Sequence, residues 1–244
     1  MIAIDKLRAA AKAAIKQNEG GNYNLSCAGV AESGYSFGFG QGDIRTDEHA
    51  WGVLHAILAA AVSAGTLTAG ELGVVEDNRE TLCAGANPIS GLLPKINRIL
   101  NEPAARQTID AMDDGLFQDA EAQTVGLFQA ADQAWGRSLG LTEAGALAMW
   151  SNMTGGLAQT TNRIAHDLIQ PRWTRFRDLV AFLRASKYFR DHPHNLVHFL
   201  ESIALGLRDA LGDGGILGGD LSATEVADLN AELQNVGSGV RLTV

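Results

Sequence analysis

Apolar residues recur at helical spacing from the start of the chain. The first such run covers residues 4–18, and its apolar positions lie three or four residues apart, which is the period of an amphipathic helix. These positions are Ile4, Leu7, Ala11, Ala14 and Ile15. Gly20-Gly21 follows the run, and glycine is the usual residue just beyond a helix C-terminus. The pattern predicts a first helix over about 4–18.

The same spacing returns after Thr46 and Asp47 and continues into the C-terminal region. Either side chain can cap a helix that ends before Gly65, because both accept hydrogen bonds from open backbone N–H groups. Two capping boxes, each pairing a hydroxyl with a carboxylate three residues later, begin at Thr68 and Ser222. The chain is therefore predicted to be mainly α-helical. Further helices are predicted over about 90–101, 103–112, 116–138, 143–153, 157–169, 172–189 and 194–211, followed by a glycine-rich connector over 212–219.

One segment after the first helix departs from this pattern. Residues 22–43 contain five glycines among serine, asparagine and aromatic residues, a composition that disfavours a helix. Residues 35–39 alternate large and small side chains, which is the period of a β-strand. The segment is predicted to form a short strand or hairpin.

Composition and charge narrow the classes of function. The chain has 244 residues, 46% of them hydrophobic, and 19 Lys and Arg stand against 28 Asp and Glu for a net charge of -9. The apolar fraction is too high for a disordered chain. An acidic protein lacks the basic face that phosphate contacts need, so no nucleic-acid partner is expected. The length predicts a single domain over 1–244, with two lobes, about 1–65 and the C-terminal helices around a cleft, as the alternative.

The cysteines and the N-terminal residues indicate the cell compartment in which the protein is made. Two cysteines, Cys27 and Cys83, do not make a disulfide scaffold in a chain of this length. The burial habit of free cysteine favours two buried thiols, and a single bridge stays open. The first residues lack the basic and apolar runs of a signal peptide, and the longest apolar stretch, 53–62, is too short to span a bilayer. We expect synthesis in the cytoplasm and no membrane span.

Glu19 is the candidate general acid. It lies at the C-terminal end of the predicted first helix, where the negative end of the helix dipole disfavours the ionised carboxylate. A general acid must hold its proton at the working pH. The following loop offers a second carboxylate, Asp43 or Glu32, and a pair of carboxyl groups is what glycoside hydrolysis uses. The alternative is a solvated Glu19 beside a plain surface hairpin.

The hairpin sequence resembles those of the lysozyme superfamily. The segment Ser33–Gly40 reads Ser-Gly-Tyr-Ser-Phe-Gly-Phe-Gly and resembles the signature of phage-type lysozymes and pesticin-like muramidases, roughly Ser-Gly-x-Thr-Ile-Gly-x-Gly. Gly38–Gln41 is similar to the Gly-x-x-Gln turn of lytic transglycosylases, and Tyr35–Ser36 with Gly42–Asp43 resembles the chitosanases of the same superfamily. The resemblance implies a mainly α, lysozyme-like fold with a small β-hairpin after the first helix.

The resemblance also implies roles for individual residues. Glu19 takes the position of the general acid, Ser36 that of the threonine that places the attacking water, and Asp43 that of the acidic residue that ends the hairpin. Which of Asp43 and Glu32 is the second carboxylate stays open. No metal and no cofactor are implied. Substrate contacts are expected from Gln41, Glu32, Tyr35, Gly38 and Gly40.

These roles imply a glycosidase that cleaves β-1,4 bonds in peptidoglycan. Two alternatives stay open. One is a chitosanase-like hydrolase of glucosamine polymers, which an acidic protein suits. The other is a non-enzymatic helical module that binds a glycan or a partner. Without a leader, the enzyme would reach the periplasm or the cell exterior by phage-type or secretion-system delivery, and only a secreted effector would need an immunity protein.

Two further clusters have plainer interpretations. His194 and His198 are four residues apart, a spacing that suits metal ligands, but the cluster lacks the glutamate of the zinc motif and favours a surface helix start. The acidic residues 110–121 predict a solvated face, with a groove wall for a cationic substrate as the alternative.

Overall fold

The structure is a computed structural model that describes residues 2–18, 23–27, 34–83, 87–151, 173–217 and 220–243, with the backbone alone over 116–123 and 213–217. The chain is mainly helical and carries a small three-stranded antiparallel sheet after its first helix. The predicted mainly α fold with a small β element at that place is confirmed.

The described helices and strands are numbered in chain order. The sheet lies between the first two helices of the chain. The described elements are α1 (Ile4–Asn18), β1 (Ser26–Cys27), β2 (Tyr35–Phe37), β3 (Gly42–Asp43), α2 (Glu48–Ser63), α3 (Ala69–Asp77), α4 (Pro88–Leu100), α5 (Pro103–Trp135), α6 (141–151), α7 (Phe176–Ala185), α8 (Lys187–Asp191), α9 (Pro193–Leu217) and α10 (Ala223–Asn235).

The predicted helix ends agree best with the structure where a capping side chain defines them. Asp47 accepts hydrogen bonds from the first backbone N–H groups of α2, and both capping boxes, at Thr68 and Ser222, are formed. The predicted division between 103–112 and 116–138 is wrong, because α5 runs through it without a break. A helix tolerates one interior glycine at a cost of about 1 kcal/mol, which burial of apolar residues on both sides of the division outweighs. The predicted helix over 157–169 lies outside the described residues.

Two further predicted spans differ in detail. The span 172–189 is divided, since Ser186 ends α7 and its hydroxyl accepts a hydrogen bond from the N–H of Phe189 to begin α8. The predicted connector over 212–219 is wrong over 212–217, because α9 continues to Leu217. Its backbone is non-helical at Gly212, the residue at which the connector was predicted to begin. No helix among the described residues is both long enough and apolar enough to cross a membrane.

Contacts divide the chain into two compact units. One comprises Met1–Asn18 and Gln118–Val244, and the other comprises Glu19–Phe117. The boundary near residue 117 falls within α5. The core of the Glu19–Phe117 unit contains residues of the sheet and of α2, α4 and the start of α5, among them Tyr35, Phe37, Ile44, Leu54, Leu58, Ile96, Leu100 and Ile109.

Within the other unit, α1 packs closely against α9. The helix face that makes this contact carries small residues, since Ala10, Ala11 and Ala14 are fully buried. A Cβ atom added to Gly206 of α9 would lie 2.6 Å from the Cα of Ala14 and 2.6 Å from the carbonyl carbon of Ala13. The two helix backbones therefore touch, with no side chain between them at this point.

A charged pair joins α3 to α4 on the surface of the Glu19–Phe117 unit. Lys95 Nζ lies 2.8 and 2.6 Å from the two carboxylate oxygens of Glu71. One of those oxygens also accepts hydrogen bonds from the backbone N–H and the hydroxyl of Thr68, at 2.8 and 2.9 Å. The hydrogen bond from Lys95, with those from Thr68, lowers the pKa of Glu71 to about 2.

This pair predicts a specific loss of stability in acid. Because the folded-state pKa of Glu71 lies below its ordinary value of 4.5, its stabilising contribution is complete above about pH 4.5 and is lost as the pH falls towards 2. We expect Glu71→Gln to lower the urea midpoint at pH 7 and to leave it unchanged near pH 2. Glu80→Gln, at a carboxylate on the same surface that is 77% exposed, serves as the control. An equal effect of Glu71→Gln at both pH values would contradict the assignment.

Candidate functional site

The predicted site residues that the structure describes all lie in the sheet or its turn. They are Tyr35, Ser36, Gly38, Gly40, Gln41 and Asp43. Two others, Glu19 and Glu32, lie outside the described residues. Every one of these positions belongs to the Glu19–Phe117 unit.

Strand register sets Ser36 directly opposite Asp43. β2 is the central strand, and its Ser36 pairs with Ser26 of β1 on one side and with Asp43 of β3 on the other. Side chains directly opposite each other in an antiparallel pair share a face of the sheet. Ser26, Ser36 and Asp43 therefore form one row across the three strands, which we term the polar row.

The face opposite the polar row belongs to the core, and Ser36 on the polar row is itself only 9% exposed. Tyr35 and Phe37 alternate with Ser36 along β2, so they point to the opposite face, and each is 2% exposed. Burial raises the pKa of the Tyr35 phenol. The predicted contact of Tyr35 with a substrate has no support from this position, because its ring lies among core residues such as Leu25 and Ile44. The alternation of residues along β2 is the signal in the sequence that Tyr35 points away from Ser36.

Backbone donors hold the Asp43 carboxylate in place. One oxygen accepts a hydrogen bond from the N–H of Gly34 at 3.0 Å, and the other accepts one from the N–H of Arg45 at 2.8 Å. Asp43 is half-buried. A carboxylate offers about four acceptor positions, so these two bonds fix its orientation and leave acceptor capacity for a water molecule or a substrate hydroxyl.

A buried acid on α5 holds the turn that joins β2 to β3. Asp113 is 1% exposed, and its two oxygens accept hydrogen bonds from the N–H groups of Phe39 at 3.0 Å and Gly40 at 3.2 Å. The predicted solvated face over 110–121 is therefore wrong at Asp113. This residue follows the buried Ile109 by four positions, and that helical spacing was the signal for an inward orientation.

The segment that precedes β1 is bound to α4 and α5. The Asn97 side chain accepts a hydrogen bond from the N–H of Leu25 at 2.8 Å and donates one to its carbonyl oxygen at 3.2 Å, as a neighbouring strand would. The Tyr23 hydroxyl donates to the carboxylate of Asp110 at 3.0 Å. Sequence reasoning missed these contacts, which fix the chain four to six residues after Glu19.

A disulfide joins Cys27 of β1 to Cys83 in the loop before α4, with 5.7 Å between the Cα atoms. The favoured interpretation of two buried thiols is wrong, since Cys27 is exposed and both cysteines are paired. The physical reason is β1 itself, which the sequence did not predict and which carries Cys27 at the edge of the sheet. The bond holds the edge strand of the polar row to the body of the unit.

The described histidines do not gather into a metal site. Among the residues that the structure describes, no group of three or more His, Cys, Asp or Glu side chains is arranged to hold a metal ion. The His198 Nε2 lies 3.0 Å from the carbonyl oxygen of Asn18, the last residue of α1. His192 and His194 are exposed near the start of α9.

Two open grooves are lined by residues other than those of the polar row. One, of about 340 Å³, is lined mainly by alanines of α2 and α5 in the Glu19–Phe117 unit. The second, of about 320 Å³, lies in the other unit, where its charged walls are already paired as Arg137 with Glu143 and Arg175 with Asp228. Neither groove shares a lining residue with the polar row.

Comparison with known proteins adds no relative to this picture. No protein-family model, no curated protein and no solved structure matches the chain.

Proposed function

We propose that the protein is a glycoside hydrolase that cleaves β-1,4 bonds in peptidoglycan, with Glu19 as its general acid. The observation that carries the proposal is the strand register, which sets the Ser36 hydroxyl opposite the Asp43 carboxylate on the polar row. Glycosidic hydrolysis uses a carboxylic acid and a second carboxylate; here Glu19 would be the acid and Asp43 the second carboxylate, with the Ser36 hydroxyl beside it to orient water. The resemblance of Ser33–Gly40 to lysozyme hairpins supports the same conclusion.

Each group has a defined task in this proposal. Glu19 gives its proton to the glycosidic oxygen as the bond from that oxygen to the anomeric carbon breaks. Ser36 orients a water molecule, and Asp43 accepts the proton of that water as its oxygen joins the anomeric carbon, or stabilises the positive charge of the oxocarbenium-like transition state. The fixed orientation of Asp43 favours this task, because its carboxylate is already in place and loses little conformational freedom when the transition state forms.

The turn supplies the polar contacts to the sugar. Gly40 and Gln41 are exposed in the structure, and the amide of Gln41 can both donate and accept hydrogen bonds. Gly40 has no Cβ atom, so its backbone can approach a ligand closely. Gly38 is buried and its open side faces Asp113, so its predicted contact with the substrate gains no support. Glu32 stays the alternative to Asp43 as the second carboxylate.

The disulfide supports a site of action outside the cytoplasm. Disulfides persist in oxidising compartments, which include the bacterial periplasm and the cell exterior. Peptidoglycan lies in those compartments, so the bond and the proposed substrate agree. Delivery would be of the phage or secretion-system type, with an immunity protein as partner for an effector.

A second candidate substrate is chitosan. The net charge of -9 favours a polycationic glucosamine polymer over an anionic wall. The same three residues would act in the same roles, because the bond that breaks is also a β-1,4 glycosidic bond. A non-enzymatic glycan-binding module is the third outcome that the experiment must separate.

The oxidised protein should be incubated with purified peptidoglycan and, separately, with chitosan, and the release of reducing ends measured. We expect release from peptidoglycan and a loss of at least about 100-fold for Glu19→Gln, the size of effect that removal of a general acid produces. Glu102→Gln, an exposed glutamate of the same unit, should retain full activity. Full activity of Glu19→Gln would contradict the assignment of the acid, and release from neither polymer would favour the binding module.

Variants of the hairpin test the two remaining roles. Ser36→Ala should lose about tenfold or more in kcat, whereas Ser36→Thr, which keeps the hydroxyl, should stay close to wild type. Asp43→Asn and Glu32→Gln should be compared at equal folded fraction, checked by thermal melting, because Asp43 also holds two backbone N–H groups. The variant with the larger loss identifies the second carboxylate.

A further inference from the structure

The turn between β2 and β3 places one residue, Gln41, in a backbone conformation that its side chain disfavours. Gln41 has φ of 49°, the one positive φ at a non-glycine residue in the described part of the chain, and Gly38 has φ of 75°. Left-handed backbone disfavours residues that carry a Cβ atom. β2 has three residues and β3 has two, so the hairpin is too short to be stable by its ladder alone. The turn has one internal hydrogen bond, from the N–H of Gln41 to the carbonyl oxygen of Gly38 at 3.3 Å, and contacts from outside the hairpin must add to it.

Asp113 supplies those contacts. Its two oxygens accept from two successive N–H groups, those of Phe39 and Gly40, so the carboxylate fixes both the position and the tilt of the turn. A Cβ atom at Gly38 would lie 2.7 Å from an Asp113 oxygen, which shows how closely the turn fits against α5. A buried carboxylate is costly unless donors replace its lost hydration, and here backbone N–H groups of the turn do so.

We propose that Asp113 is a positioning residue of the hydrolytic site. Its carboxylate fixes the turn and thereby sets the separation of Ser36 and Asp43, which lie at the two ends of that turn, and the direction of Gln41. This inference rests on the proposed function and adds to it a residue from α5 that touches neither substrate nor water. A displacement of about 1 Å at a catalytic group is enough to lower a rate about 100-fold.

The test compares Asp113→Asn with Asp114→Asn, the exposed neighbour on the same helix. Asparagine has almost the same size but keeps only one acceptor oxygen, and its NH2 group would face one of the two backbone N–H donors. Two experiments should be done at the same temperature. The first measures the exchange protection of the Phe39 and Gly40 amides, and the second measures kcat and KM for soluble peptidoglycan fragments.

We expect Asp113→Asn to lower amide protection in the turn at least tenfold and kcat about 10- to 100-fold, with a smaller change in KM and with protection of α2 and α4 retained. Asp114→Asn should match wild type in both measurements. Should Asp113→Asn not fold, Gly38→Ala displaces the same turn without changing a charge and should show the same pattern.

Each contrary outcome has a separate meaning. Unchanged protection of the Phe39 and Gly40 amides would show that Asp113 does not hold the turn. Lost protection with unchanged kcat, or a lower melting temperature as the sole effect, would show a structural role and overturn the positioning role. Absence of hydrolysis by the wild type would overturn the proposed function, and the amide exchange would still report whether Asp113 holds the turn.

Discussion

Replacement of Gly206 by alanine is expected to lower the free energy of unfolding by about 3 kcal/mol, the upper end of the usual cost of overpacking. The expectation opposes helix propensity, since alanine in a helix interior is normally better than glycine by about 1 kcal/mol. The steric effect prevails because the new Cβ atom would meet the backbone of Ala13 and Ala14. A backbone cannot rotate away as a side chain can, so α1 and α9 would have to separate and expose the buried alanines between them.

Gly126→Ala provides the matched control for this prediction. Gly126 lies in α5 within the same unit, and among the described residues no atom beyond its chain neighbours and the nearby backbone of α5 lies within 4 Å of a Cβ placed there, so the change should stabilise the protein by up to about 1 kcal/mol. Both variants can be measured by urea denaturation at neutral pH. A gain in stability for Gly206→Ala would contradict the close packing of α1 on α9.

Removal of the disulfide is expected to cost about 4 kcal/mol. The two cysteines are 56 residues apart, and in the chain-entropy account the stabilisation grows with the logarithm of the loop that the bond closes. The double change Cys27→Ser with Cys83→Ser should therefore shift the urea midpoint well below that of the oxidised wild type. β1 has two residues, so its amides should lose exchange protection first.

Reduction of the wild type provides an independent measurement of the same quantity. Since both cysteines are in the bond, a thiol reductant should lower the stability of the wild type to that of the double serine variant and leave the variant itself unchanged. A midpoint that reduction does not move would show that the bond adds nothing to folding. Loss of the bond should also loosen Ser26, whose partner across the strands is Ser36.

Local signals in the sequence were sufficient for the helix ends and for the position of the hairpin. Asp47 and the capping boxes satisfy backbone groups within three residues of themselves, so the residues that decide the outcome stand next to each other in the chain. The alternation over 35–39 likewise predicted a strand without knowledge of its partner.

Contacts between distant residues could not be inferred in the same way. Asp113 meets Phe39 across 74 positions, and Asn97 meets Leu25 across 72. In each pair a side chain accepts a hydrogen bond from a backbone N–H group. The strands of the glycine-rich segment are too short to provide a backbone carbonyl for that N–H group. The acidic residues of α5 were predicted to be solvated, because charged residues are usually exposed. Tertiary packing instead buries Asp113 beneath the turn.

The disulfide also determines the covalent topology of the chain. The bond between Cys27 and Cys83 closes a ring that contains β2, β3, α2 and α3. A protease that cuts one peptide bond inside this ring opens it without releasing a fragment, so the chain stays one molecule until the disulfide is reduced. A single cut before Cys27 or after Cys83 divides the chain, but Ser36 and Asp43 still remain together on one fragment. The residues proposed to act on the water, Ser36 and Asp43, therefore stay in one molecule after any first proteolytic cut, whereas Glu19 precedes the ring and can be separated from them.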